Sequence, residues 1–180
     1  WSDTMREVYG EYRAPTGIVS SSANTKSKIS DEIDSLTKEI NSISKIIKRR
    51  PKMLVGKPGL DGHSNGAEQI AVRSRDIGIE VVYEGIRSTP EQLVVAAIEE
   101  GVHIIGLSIL SGSHVHLVNV ILDLLKKNKY SHIPVIVGGI IPPDDEKKLL
   151  KKGVKAVFTP KDFKIENILK KITKIIKVSV

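Results

Sequence analysis

The sequence predicts an α/β protein: a doubly wound parallel sheet of five strands, preceded by a linker and one helix. Two observations carry that prediction. From residue 52 onward, short runs rich in Ile and Val alternate with segments whose apolar residues recur at steps of three and four. Gly, Pro, Ser and Thr punctuate the junctions between them. Strands that alternate with helices form a parallel sheet covered on both faces by right-handed crossovers. Five such strands fit a flavodoxin-like doubly wound domain.

Residues 1–19, "WSDTMREVYGEYRAPTGIV", hold the single Trp and two of the four Tyr. They read as a segment that packs against something outside the chain. Residues 20–30, "SSSANTKSKIS", are polar and Ser-rich, which suits a linker. A helical pattern then begins at Ser30, with Ile33, Leu36, Ile40, Ile43 and Ile47 on one face. "SDEID" offers a cap and an acidic first turn, and Pro51 disfavours continuation. Whether this helix is a spacer or a packing element across an interface with a domain outside the chain is open at this level.

The alternation follows. "KMLVG" is strand 1, and Gly66 to Ile77 is a helix. "IEVVYEG" is strand 2, followed by a helix from Pro90 to Glu100 with Thr89 as its cap. "VHIIGLSIL" is strand 3, with a helix from Ser113 to Asn128. "IPVIVGG" is strand 4, with a helix from Pro143 to Lys152. "KAVFT" is strand 5, and Phe163 to Val178 closes the chain as a helix.

Composition narrows the class. Hydrophobic residues make up 40% and charged residues 27%, as in a globular protein, but aromatics only 4%, so Ile, Val and Leu must build the core. No apolar run approaches the ~20 residues that span a bilayer, and no signal peptide is visible. A cytoplasmic location and no membrane partner are the expectation. Without cysteine, any transition-metal ligand must be His, Asp or Glu. The net charge of +7 is uneven: about +2 in residues 1–50, −4 in 51–125 and +9 in 126–180. The lysines of "KKLLKKGVK" and "LKKITKIIK" alternate with apolar residues at helical spacing, so they read as solvated helix faces, not a nucleic-acid site. The first residue is Trp1, so a piece of a longer protein is expected.

In a doubly wound sheet, ligands bind outside the carboxyl ends of the strands. The segments there are "KPGLDGHSNG", "EGIRSTP", "SILSGS", "GGIIPP" and "TPKD", mostly Gly, Ser, Thr and Pro. Such residues let backbone approach a ligand and offer neutral hydrogen bonds. A response regulator would need an acceptor Asp at the end of strand 3, where "LSIL" has none. A dinucleotide site would need G-x-G-x-x-G, and the glycines of "GLDGHSNG" are spaced differently. What stands out is His63 in a glycine-flanked loop, with Asp61 two residues before it. Neutral imidazole ligates borderline metals, and a carboxylate on its other nitrogen fixes its tautomer. By itself D-x-H is a weak pattern.

Three motifs in register strengthen it. "DGHSNG" resembles the D-x-H-x-x-G of cobalamin-binding domains, "SIL" at 108–110 resembles their S-x-L, and "GG" at 138–139 their closing Gly-Gly. The resemblance covers roughly residues 52–178. It implies that His63 is the lower axial ligand of cobalt, with Asp61 hydrogen-bonded to it and the cofactor's own base displaced. The loop residues Gly62, Ser64, Asn65 and Gly66 belong to the same motif. Ser108 would contact the displaced base, and Leu110, Gly138 and Gly139 would line the slot that takes it. Thr159 and Pro160 would continue that pocket.

Longer stretches, "RPKMLVGKPGLDGHSNGAEQIAVRSRD" and "EGVHIIGLSILSGSH", are similar to the carboxyl-terminal domain of acyl-CoA mutases. "GKPGLDGHSNG" and "TPKDF" are more like the ethylmalonyl-CoA than the methylmalonyl-CoA branch. "REVYGEYRAPTGI" resembles the end of the mutase substrate barrel. The resemblance therefore implies an adenosylcobalamin-dependent isomerase of acyl-CoA. Residues 1–19 would be the tail of a missing barrel, 20–50 the linker and helix, and 51–180 the cobalamin domain. The barrel would be its partner and carry the acyl-CoA substrate, the full enzyme would be a homo-oligomer, and the chain alone would be inactive. A corrinoid carrier protein of a methyltransferase system shares the three motifs, but such carriers have a helical bundle ahead of the domain. His103 and His132 are expected to be structural, and His114 and His116 to have no direct role.

Overall fold

The computed structural model describes residues 23–60, 62, 65–162 and 164–180, with side chains from residue 31. The chain divides into two compact units, residues 1–31 and 32–180. Of the first, the described part is the opening of helix α1 (Ala23–Ile47). The second holds the rest of α1 and an alternation of β1 (Lys52–Pro58), α2 (Asn65–Asp76), β2 (Glu80–Ser88), α3 (Pro90–Glu99), β3 (Ile104–Ser108), α4 (His114–Lys127), β4 (Val135–Gly138), α5 (Pro143–Lys151), β5 (Ala156–Phe158) and α6 (Ile165–Ser179).

The strands form one parallel sheet in the order β2-β1-β3-β4-β5. This is the flavodoxin-like doubly wound order expected from the sequence. Side chains alternate between its faces. Met53, Val55, Ile104, Ile136, Ala156 and Phe158 pack on one face with α1, α2 and α6. Leu54, Ile105, Leu107, Val135, Val137 and Val157 pack on the other with α3, α4 and α5. Both faces are apolar because both are covered, which is why the strands read as continuous Ile/Val runs.

Helix α1 begins at Ala23, not at Ser30, so the helix runs into the stretch read as a linker. No Gly or Pro interrupts "ANTKSKIS". Once a helix is nucleated, each added residue gains a hydrogen bond at small entropic cost. The cap signal in "SDEID" thus falls inside the helix. From residue 32 on, the helix packs on the chain's own sheet, a role its sequence pattern did not foresee. Leu36, Ile40 and Ile43 are buried among core residues of the sheet, and Glu39 and Glu32 pair with Lys177 and Lys170 of α6. The helix is a packing element of the sheet's own core.

Strand β2 also differs in extent. It runs three residues past Gly85 because two irregularities keep it in register with β1: Lys57 pairs with Ile86 and Pro58 with Ser88. Gly85 (φ 73°) and Arg87 (φ 63°) supply the left-handed backbone those irregularities require. The capping of α3 is as expected. Thr89 Oγ1 accepts from the Gln92 N–H, Gln92 Oε1 accepts from the Thr89 N–H, and Pro90 opens the helix. The lysines of α5 and α6 face solvent while Leu149, Leu169, Ile172 and Ile176 are buried. Among the described residues no helix is long and apolar enough to cross a membrane.

Candidate functional site

The chain leaves β1 toward β2 on one side and later places β3 on the other side of β1. A crevice opens where the winding reverses, at the carboxyl ends of the strands. Here it is a cleft of about 610 Å³ between the sheet and helices α2 and α6. Ligand sites typically have ~300–1,000 Å³.

The cleft lies on the face that carries Met53 and Ile136. Set back along the strands, its wall is apolar: Met53, Val55, Ile136 and Phe158 from the sheet, Ile165, Ile168 and Ile172 from α6. Toward the carboxyl ends it turns polar, with Asn65, Gln69, Ser108, Thr159 and Asp162. The same strand face that is filled elsewhere by Ile and Met carries Gly106 and Gly138 here, so the floor of the cleft is backbone. A Cβ at Gly106 would stand 2.5 Å from Met53 Cε.

The two glycines of the Gly-Gly pair differ in what they do. A Cβ at Gly138 would meet only the Leu107 and Phe158 carbonyl oxygens, at 3.9 and 4.0 Å. That is ordinary contact, so the missing side chain keeps the cleft open. A Cβ at Gly139 would run into the Ile109 carbonyl. The close approach of two loop backbones requires glycine at that position. Its N–H donates to the Phe158 carbonyl at 3.0 Å, and the Ile109 N–H donates to the Gly138 carbonyl at 2.9 Å.

Two hydrogen-bonded groups shape the polar end. Lys57, buried at 1% exposure near the end of β1, donates from Nζ to Ser108 Oγ at 3.4 Å. Ser108 is thereby an acceptor from Lys57, and its own O–H remains to be donated into the cleft. Beyond β5, the Asp162 carboxylate accepts from the Thr159 N–H at 2.8 Å and from Thr159 Oγ1 at 3.3 Å. The Asp162 N–H in turn donates to the Thr159 carbonyl at 2.8 Å. This closes a tight turn that presents Pro160 and a carboxylate at the cleft.

Of the residues singled out in the sequence, Gly62, Asn65, Gly66, Ser108, Leu110, Gly138, Gly139, Thr159 and Pro160 all line this one cleft. They come from four separate loops. Asp61, His63 and Ser64 lie outside the described residues. Among the described residues no cluster of three His, Asp or Glu side chains is placed to hold a metal ion. Sequence reasoning missed Asp162, Gly106, Lys57 and the isoleucines of α6. Asp162 had a signal, the T-x-x-D spacing of "TPKD". Lys57 had one too, a charge at the end of an apolar strand. Gly106 and the isoleucines had none, because any apolar helix face or strand glycine looks alike before it is packed.

Residues 51–168 match the model of the B12 binding domain family. The chain belongs to the B12-binding domain family. It is 46% identical over 177 residues to ethylmalonyl-CoA mutase of Methylorubrum extorquens, covering 98% of this chain and 25% of that protein. It is 34% identical over 163 residues to methylmalonyl-CoA mutase of Escherichia coli, covering 88% of this chain and 23% of the relative. The chain thus spans about a quarter of the length of these curated relatives. In fold it is similar to a cobalamin-binding protein from Desulfitobacterium hafniense DCB-2, with a TM-score of 0.62 at 19% identity over 96% of this chain and 76% of the other. The resemblance to cobalamin-binding domains expected from the sequence is borne out at the level of the family.

Proposed function

We propose that this chain is the cofactor-binding part of an adenosylcobalamin-dependent acyl-CoA mutase, acting on ethylmalonyl-CoA or methylmalonyl-CoA. In this reading His63 would ligate cobalt, Asp61 would hold its imidazole, and the cleft would take the cofactor's own base. The observation that carries it is the cleft itself. Its apolar inner wall and glycine floor suit a flat aromatic base, and Ser108, which lines the polar end and accepts from Lys57, has a hydroxyl proton that it could donate to a ring nitrogen. Leu110, Gly138 and Gly139 would flank the base, Thr159 and Pro160 the nucleotide tail, and Gly62, Ser64, Asn65 and Gly66 the loop that presents His63. When bound, the cofactor supplies the radical chemistry of carbon-skeleton rearrangement; the protein supplies ligation, orientation and exclusion of water.

The 46% identity to an ethylmalonyl-CoA mutase, against 34% to a methylmalonyl-CoA mutase, supports the first substrate over the second. The substrate barrel is the partner in this proposal, with residues 1–19 as its tail and a homo-oligomeric whole enzyme.

An absorbance titration with cobalamin tests the reading. The chain is expected to give a base-off, His-on spectrum, and His63→Ala to lose it. An identical spectrum from both proteins would overturn the assignment of His63.

A further inference from the structure

His114 opens α4 on the sheet face opposite the cleft, and it is buried at 2% exposure. A buried imidazole is costly unless its nitrogens are bonded. Both are. Nδ1 lies 3.1 Å from the Ser111 carbonyl oxygen and Nε2 lies 3.0 Å from Asp145 Oδ2. Each partner offers an acceptor oxygen, so either ring nitrogen is placed to donate, according to the tautomer. Asp145 sits in the first turn of α5, and its other oxygen accepts from Lys148 Nζ at 2.8 Å. Lys148 first, and His114 second, hold its carboxyl below the usual carboxylate range.

The segments joined this way are the two loops that form one rim of the cleft. Leu110 immediately precedes Ser111, and Gly139 and Ile140 lie in the loop leading to Asp145. On the cleft side the same loops meet through backbone at Gly139, which abuts the Ile109 carbonyl, while the Ile109 and Ile141 side chains join the core behind them. The helices behind them are already anchored by Val118, Ile121 and Leu149 in the core. A hydrogen bond beside such a core adds only about 1 kcal/mol of net stability, because water bonds are given up to form it, but it fixes geometry.

We propose that the His114–Asp145 pair is a positioning device that clamps the β3–α4 loop to the β4–α5 loop and so sets the cleft rim for its ligand. The proposal rests on the cobalamin reading of the cleft. Neither side chain lines the cleft, so both act through Leu110, Gly139 and Ile140.

The test is an adenosylcobalamin titration of the chain and its Asp145→Ala, His114→Gln, Asp145→Asn and Leu149→Ala variants, well below their unfolding midpoints. Asp145→Ala and His114→Gln are expected to raise Kd about tenfold or more, the scale of lost outer partners of a bound metal centre. Asp145→Asn keeps an oxygen that accepts from the ring, so it is expected to recover most of the affinity. Leu149→Ala lowers the unfolding midpoint yet leaves Kd within about twofold, because it loosens the core and not the rim. An unchanged Kd in Asp145→Ala, or an equal loss in Leu149→Ala, overturns the clamp. Amide hydrogen exchange without cofactor separates this from the cobalamin reading. If the parent chain binds no corrinoid, that reading fails. The clamp then stands if the Ile109 and Gly139 amides exchange faster in Asp145→Ala than in Leu149→Ala, and falls if they do not.

Discussion

A methyl group added at Gly138 would find 3.9 Å or more to its nearest neighbours, whereas one at Gly139 would collide with the Ile109 backbone. Adjacent glycines with the same appearance in sequence therefore answer to different pressures. Gly138→Ala is expected to fold with unchanged or slightly raised stability, by up to about 1 kcal/mol, since alanine restricts the unfolded chain. Its methyl group occupies the cleft floor, so cobalamin affinity is expected to fall. Gly139→Ala must push two loops apart, at a cost on the order of 1–3 kcal/mol. Urea unfolding together with a cobalamin titration separates the two effects. Equal destabilisation by both substitutions would contradict this division of roles.

At the scale of elements, the amino ends of β1 and β3 are joined by a reciprocal pair. The His103 N–H donates to the Lys52 carbonyl at 2.8 Å, and the Lys52 N–H donates to His103 Nδ1 at 2.9 Å. Nδ1 can accept only when it carries no proton. Burial is the main cause that lowers the His103 pKa, followed by the nearby Arg49 charge. A histidine whose folded pKa lies below its unfolded value binds fewer protons when folded, so stability rises with pH. The loss on acidification starts as pH falls through the unfolded value, about 6.5. It levels off below the folded value. Chemical unfolding at pH 7.5 and 5 should therefore show a larger drop for the parent chain than for His103→Gln. A variant that loses as much stability over the same interval would refute the assignment. This histidine was expected from its place before an apolar strand to be structural, and its bonds are those of a strand-joining residue.

At the scale of the whole molecule, the cleft exists because the winding reverses between β1 and β3, so that loops distant in sequence meet. The chain covers about a quarter of its mutase relatives, and in the proposed reading the acyl-CoA site belongs to the barrel beyond it. Purified chain supplied with adenosylcobalamin is expected to bind it without turning over ethylmalonyl-CoA or methylmalonyl-CoA. Rearranged product above background would show that the chain carries substrate chemistry of its own.

The sequence by itself determined the sheet and its strand alternation, because period-two burial on two covered faces leaves unbroken Ile/Val runs such as "VIVG" and "HIIGLS". It determined the cap at Thr89, because capping is local chemistry within four residues. It also held the three motifs at the ends of β1, β3 and β4, which the family resemblance joined without any contact between them being known. Tertiary structure alone decided the rest. Helix α1 belongs to the core because Ile40 is buried in one cluster with Ile104 and Ile136, residues of the sheet more than 60 positions on. Gly138 opens a cleft and Gly139 permits a contact, although both are the same residue. His114 is held by Asp145, a partner 31 positions on. In each case the deciding neighbour is distant in the chain, and a linear pattern records what a residue is and not what it meets.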